Sequence, residues 1–375
     1  MSSIYIHIPF CKQACNYCDF HFSTSMKKKD ELVLALAKEI ELRKLEFENE
    51  AVESIYFGGG TPSVLRIEDL EFLIAKVYLN FTVSEHPEIT IEANPDDLSE
   101  DFLIALSKTK VNRLSIGVQS FFEADLKMMN RAHNAEEAKK CLAIATKYFN
   151  NISVDLIYGV PGMSNENWTQ NIQTVLDFSI PHLSSYALTV EPKTALKKLI
   201  QDKKIDQPSD EVAHEHFKIL VEMLEKNGFI HYELSNFGKE NFFSKNNSSY
   251  WLGTKYIGIG PSAHSYNGNS RSWNVANNTL YLKSIAADTL PNETELLSKK
   301  DVYNEYIMTG LRTIWGVSLQ KIEVNFGADF LNYLLKQSQK FLDDDLLFVE
   351  NKILKPTAKG KFLCDGIASD LFFVE

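Results

Sequence analysis

Apolar positions in the first 235 residues switch repeatedly between two spacings. Short runs rich in β-branched and aromatic residues fall at 4–8 (IYIHI), 52–57 (VESIYF), 88–93 (EITIEA), 112–118 (NRLSIGV), 152–158 (ISVDLIY) and 182–189 (HLSSYALT). Between them, apolar residues recur three and four apart over 29–47, 66–81, 98–108, 135–149, 165–178 and 210–228. The first pattern predicts strands, the second amphipathic helices. Ser99 stands where an N-cap belongs, and Gly228 where a helix stops. Strand and helix taking turns predicts parallel strands joined by right-handed crossovers. Six such units are present rather than eight. The α/β fold expected is therefore a partial (β/α)6 barrel, with a doubly wound sheet as the rival.

The alternation stops near residue 236. From there to about 285 the chain is rich in Asn, Ser, Gly and aromatic residues and reads as an irregular connecting segment. The stretch 286–375 returns to helical spacing, with a small hairpin at Asn351 and a last helix. It predicts a separate, mainly helical, winged-helix-like domain. The expected organisation is a barrel over 1–235, a connector over 236–285 and a small domain over 286–375.

Composition narrows the function. The chain has 375 residues, 44% hydrophobic and 24% charged, as in ordinary globular proteins. The formal net charge of −11 disfavours a nucleic-acid partner held through its phosphates. No basic segment followed by an apolar run begins the chain, and no run approaches the ~18 apolar residues of a spanning helix. A cytoplasmic location is expected, which leaves room for transient contact with a membrane protein. Five cysteines, three of them crowded into "CKQACNYC" at Cys11, Cys15 and Cys18, do not resemble a disulfide framework.

Those three cysteines follow the first strand, at the end where β/α barrels carry their chemistry. A lone cysteine is usually a small buried hydrophobe, which is the reading given to Cys141 and Cys364. Three thiols so close together point instead to a soft metal. Structural zinc needs four ligands, and His7 or His21 could complete a Cys3His set. Iron–sulfur clusters normally take four cysteines, so three leave one iron open to another ligand.

Further candidates lie at successive strand ends. "GGGTP" (58–62) follows the second strand; its glycines let the backbone approach a ligand, although a tight turn would need them equally. It is not a G-x-G-x-x-G motif, so a nicotinamide site is poorly supported. Glu92 could accept ribose hydroxyls or act as a loop acid or cap. Gln119 and Arg131 offer an amide and a guanidinium, the latter suited to a carboxylate. Asp155 alternates with apolar neighbours and points into the barrel. His133 reads as a hydrogen-bonded structural histidine.

The pattern C-x3-C-x2-C after a first strand resembles radical S-adenosylmethionine (SAM) enzymes. The ordered set YIHIPFC, YFGGGTP, EANP, GVQSF, RAH, DLIYGVPG and YELSNF is similar to their coproporphyrinogen III oxidase-like branch over nearly the whole chain, including a HemN-like C-terminal domain. The oxidases continue with a fourth cysteine, where this chain has Phe20. That difference, the short N-terminus and the total length resemble instead the HemW-like haem chaperones.

The resemblance implies a [4Fe–4S] cluster on Cys11, Cys15 and Cys18. It also implies SAM contacts at Tyr5, Phe20, Gly59, Gly60, Thr61, Glu92, Gln119, Arg131 and Asp155, with Ala187 a weaker match. Haem, a recipient haem protein and an electron donor for the cluster would be the partners. The family's haem-linked H-N-x-x-Y-W reads NNSSYW here: Asn246 replaces the histidine, while Asn247, Tyr250 and Trp251 match, and His264 stands nearby as a substitute. The rival readings are an oxygen-independent coproporphyrinogen oxidase, a tRNA-modifying radical SAM enzyme, and a binding module built on structural zinc.

Overall fold

The computed structural model describes residues 2–47 and 50–374. Six strands fall where the apolar pattern put them: β1 (Ser2–Ile8), β2 (Val52–Gly59), β3 (Val83–Ala93), β4 (Arg113–Gln119), β5 (Ile152–Tyr158) and β6 (His182–Ala187). They pair in parallel and in simple chain order, each with the next. A doubly wound sheet reverses its strand order partway, so that rival is excluded. Tyr5, Tyr56, Glu92, Arg113, Asp155 and Ser184, one from each of these strands, line a single cavity. A flat sheet could not bring β1 and β6 to one cavity; the sheet curls into an open barrel.

The predicted helices are present as α1 (Lys29–Leu42), α2 (Ile67–Asn80), α3 (Glu100–Leu106), α5 (Ala135–Tyr148), α6 (Asn165–Asp177) and α8 (Asp210–Lys226). Short α4 (Glu123–Met128) and α7 (Ala195–Gln201) had no clear periodicity to announce them. Ser99 caps α3 by accepting from the Phe102 amide at 3.2 Å. Gly228 follows α8 with φ +77°, as a helix stop requires.

The segment 236–285 is not an irregular connector. It supplies β8 (Asn236–Gly238), which with β7 (Ile230–Glu233) forms one edge of the sheet. It then gives α9 (Lys245–Trp251), β9 (Lys255–Ile259), β10 (His264–Tyr266), β11 (Ser270–Asn274) and α10 (Asn278–Ala286). β9 pairs in parallel with β1 and adds a strand to the parallel set. β10, β11 and β12 (Asn292–Leu296) extend that edge antiparallel. This region was illegible because its order is tertiary. Glu88 on β3 accepts from the Lys245 and Asn246 amides at 3.0 and 3.2 Å, capping α9, whose residues KNNSSYW have little helix propensity. Glu39 on α1, fully buried, receives hydrogen bonds from the Gly260 amide, Asn274 and the Tyr281 hydroxyl, which fasten β9 and its neighbours to α1.

The remaining chain forms α11 (Lys299–Leu311), β13 (Val317–Ser318), α12 (Leu319–Phe326), α13 (Ala328–Asp343), β14 (Leu347–Glu350), β15 (Ile353–Pro356), α14 (Ala358–Lys361) and α15 (Cys364–Asp370). β13, β15 and β14 make a small antiparallel sheet. Asn351 and Lys352 both take positive φ at the hairpin turn, the conformation tight hairpins require. The apolar core of the barrel runs from Ile4 to Ile285, and a second core from Tyr303 to Leu371 belongs to this smaller part. No helix among the described residues is long and apolar enough to cross a membrane.

Candidate cofactor site

The cysteine loop leaves β1 and is docked from both sides. The Asn16 amide donates to Met129 O at 3.0 Å and its side chain to Met128 O at 2.7 Å. Asn130 answers by donating to Ala14 O at 2.7 Å. On the other flank the Gly60 amide bonds Ile8 O at 2.9 Å, and Thr61 bonds Phe10 O at 2.7 Å. Lys12 pairs with Asp97. Sequence reasoning missed these anchors: Asn16, Asn94 and Asn130 are ordinary loop residues until the fold brings their carriers together.

Within the loop, Cys11, Cys15 and Cys18 are all half-buried. Burial pushes the Cys11 thiol up, and the Cys18 thiol up to about 11. Burial therefore favours the protonated thiol at Cys11 and Cys18 until a cation takes the proton's place. Arg131 reaches across to bring Nη1 within 3.2 Å of Cys15 Sγ, while its Nη2 donates to Asn94 Oδ1 and Gly117 O at 2.6 Å each. A side chain at Gly117 would collide with Gln119 and crowd Arg131, which explains the glycine. Gln119 itself is buried with φ +68°, a conformation that costs a non-glycine residue about 1–2 kcal/mol.

The zinc alternative is not assembled. His7 has both ring nitrogens engaged, Nδ1 with the Tyr5 hydroxyl at 3.1 Å and Nε2 with His21 O at 3.0 Å. His21 bonds Asn278 at 2.8 Å. Among the described residues no three His, Cys, Asp or Glu side chains converge on a point where one ion could sit. Three soft donors on one anchored loop, with a guanidinium beside them and no fourth protein donor in place, fit a larger multinuclear group.

The glycine-rich turn also has a packing role. A Cβ on Gly59, where φ is +108°, would strike the His7 ring, and one on Gly60 would meet Ile8 O and Phe10 O at 2.8 and 2.7 Å. The glycines allow β2 to pack against the stem of the cysteine loop. Their amides are used within the protein, Gly59 donating to Glu92 at 3.1 Å.

Glu92 also accepts from the Tyr56 hydroxyl at 2.8 Å; burial raises its carboxyl to about 7. Asp155 accepts from Ser115 at 3.2 Å and is raised by burial to about 6. Tyr5, Gly59, Glu92 and Phe20 share a cavity of about 430 Å³ with His7, His21, Tyr250, Tyr256 and His264. Phe20 is 67% exposed at its mouth. Ala187 ends β6, in register with Tyr158. His133 is buried with Nε2 3.1 Å from Val118 O, and Cys141 is buried in the barrel core, as expected; Cys364 is buried too, but on the wall of a cleft rather than in the core of the smaller part.

The haem candidates do not converge. Asn246 is buried, 3.5 Å from the Ser54 hydroxyl, and with Asn247 it faces the barrel interior. Trp251 lies on a different cleft of about 390 Å³, with Tyr256, Tyr266, Tyr306, Phe326, Arg271 and Lys321. His264 belongs to the cavity beside the cysteine loop. Tyr250 lies on all three walls.

Comparison with known proteins bears on this arrangement. Residues 5–175 match the radical SAM superfamily, and residues 297–363 match the HemN C-terminal domain. The chain is 34% identical to the heme chaperone HemW of Lactococcus lactis, with 98% of each chain covered. It is 33% identical to that of Bacillus subtilis, with 97% of each covered. Among solved structures, coproporphyrinogen III oxidase (HemN) from Escherichia coli, a radical SAM enzyme, superposes with a TM-score of 0.87 at 25% identity, over 100% of this chain and 90% of its own. Full-length likeness at this level, joined to a three-cysteine loop at the end of β1, assigns the chain to the HemW family of radical SAM proteins.

Proposed function

We propose that this chain is a haem carrier that delivers haem to recipient haem proteins in the cytoplasm. On this reading Cys11, Cys15 and Cys18 hold a [4Fe–4S] cluster, and SAM occupies the adjoining cavity. The observation that carries the cofactor assignment is the anchored three-thiol loop, with no fourth donor converging on it among the described residues. Three thiolates leave one iron of such a cluster open to SAM's amino and carboxylate groups. When bound, the cluster would supply an electron to SAM's sulfonium. The protein's own part is to hold the loop through Asn16, Asn130 and Arg131, and to offer Tyr5, Glu92, Gln119 and Asp155 to the nucleoside and amino-acid portions.

The haem seat we favour is the aromatic cleft. Tyr250 and Tyr256 meet edge-on with ring centroids 4.5 Å apart, giving an aromatic corner. Lys321, its ammonium 4.2 Å from the Tyr306 ring, and Arg271 offer cations for propionates. Haem titration of the anaerobically reconstituted protein tests this. Trp251→Ala and Lys321→Gln should each weaken binding, by roughly ten-fold for the tryptophan. Unchanged affinity in both variants would remove haem from this cleft.

The whole-chain likeness to the oxidase favours one second reading, oxidative decarboxylation of coproporphyrinogen propionates. Exposed Phe20 at the fourth-cysteine position argues against it. An anaerobic assay that yielded CO2 and a vinyl product would establish that activity.

A further inference from the structure

Adjoining the cofactor cavity, with which it shares Tyr5, Glu92 and Tyr250, the barrel holds a second chamber of about 220 Å³. At ~30 Å³ per water it has room for about seven waters, or for one small carboxylic acid. Its walls are mostly polar: hydroxyls of Tyr5, Ser115 and Ser184, amides of Asn236, Asn246 and Asn247, the carboxyls of Glu92 and Asp155, and the Arg113 guanidinium.

Arg113 is the anomaly. It opens β4 and is 2% exposed. Its Nε has no hydrogen-bond partner among the described residues, and the nearest carboxylate, on Glu88, stands 4.0 Å away. A buried guanidinium N–H without a hydrogen bond is costly. The acids around it, by contrast, are already served. Glu88 caps α9, Glu92 takes Tyr56 and Gly59, Asp155 takes Ser115, and Glu233 bonds Asn236 and Asn247. Burial further pushes Glu92 and Asp155 towards their neutral forms. The unmet capacity in the chamber is thus that of donors around a fixed positive charge.

We propose that this chamber is a carboxylate site in which Arg113 receives a small carboxylate. The carboxylate is either a free small acid or the pendant arm of a larger ligand, entering past Tyr5, Glu92 and Tyr250, which line both this chamber and the cavity beside the cysteine loop. Arginine suits this role because its planar fork matches a carboxylate.

The test uses full-length reconstituted protein, with Arg113→Gln and the charge-preserving Arg113→Lys, each checked by thermal melting. Propionate binding is read by saturation-transfer NMR, and protoporphyrin IX is compared with its dimethyl ester by fluorescence titration. Propionate binding that Arg113→Gln weakens by roughly ten-fold or more, with partial retention in Arg113→Lys, supports a free-acid site. Preference for the diacid over the ester, abolished by Arg113→Gln, supports a pendant arm and is readable whether or not haem itself binds the aromatic cleft. If neither ligand distinguishes folded Arg113→Gln from the native protein, Arg113 is only a counter-charge for the buried acids and the proposal is overturned.

Discussion

Arg131 and Cys15, 116 positions apart in the chain, meet with Nη1 3.2 Å from Sγ. The same guanidinium grips Asn94 and the Gly117 carbonyl, so it ties the ends of β3 and β4 to the cysteine loop. A flexible ammonium cannot make these contacts together. Arg131→Lys and Arg131→Gln should therefore both lose iron on reconstitution and bind SAM about 10–100-fold more weakly, the range typical of groups that orient metal ligands. Iron analysis and SAM titration check this; full iron content and native affinity in Arg131→Lys would show that charge alone is enough.

Glu92 should give SAM binding a pH dependence. Its carboxyl is raised by burial to about 7, so it becomes an ionised acceptor only as pH rises through neutrality. SAM should bind more tightly at pH 8 than at pH 6, and Glu92→Gln should remove that part of the slope. Stability should move the other way. The folded state holds a proton between the ordinary carboxylate range and pH 7 that the unfolded state has released, so stability falls as pH rises through that window. Glu92→Gln should thus be more favourable to stability at pH 8 than at pH 5, by on the order of 1 kcal/mol. Urea unfolding at the two pH values measures this, and an equal effect at both would mean that the carboxyl titrates normally.

The glycines of the GGG turn should differ sharply from glycine elsewhere. Gly59→Ala would force a left-handed backbone on alanine and drive its methyl into the His7 ring. A loss of about 2–4 kcal/mol is expected, with displacement of the cysteine loop. Gly366 lies within helical α15 with nothing near its absent Cβ, so Gly366→Ala should stabilise by up to about 1 kcal/mol. Denaturant midpoints compare the two; equal effects would contradict the packing account of the turn.

Burial of β/α units writes itself into a chain as periodicity. The six strands and their helices are legible in the sequence for that reason, as are the hairpin at Asn351 and the structural role of His133. The segment 236–285 is not, because its elements depend on distant acids: Glu88 caps α9, and Glu39 secures β9 and α10. Asn246 stands where the resemblance leads one to expect a haem-linked histidine, yet it lies buried beside Ser54 and does not line the Trp251 cleft. The glycines of GGGTP are recognisable as backbone-approach residues, but their packing of β2 against the stem of the cysteine loop is visible only in the fold. Arg113 gives no signal at all, since a single arginine opening a strand looks like a surface charge until its environment is known.

The most direct measurement is electron paramagnetic resonance of the anaerobically reconstituted, reduced protein, with and without SAM. Roughly four irons per chain are expected, held by three cysteines. SAM should perturb the cluster signal, and substitution of Cys11, Cys15 or Cys18 by alanine should abolish it. Stoichiometric zinc without iron, or a reduced cluster whose signal is indifferent to SAM because a fourth side chain occupies the remaining iron, would contradict the account.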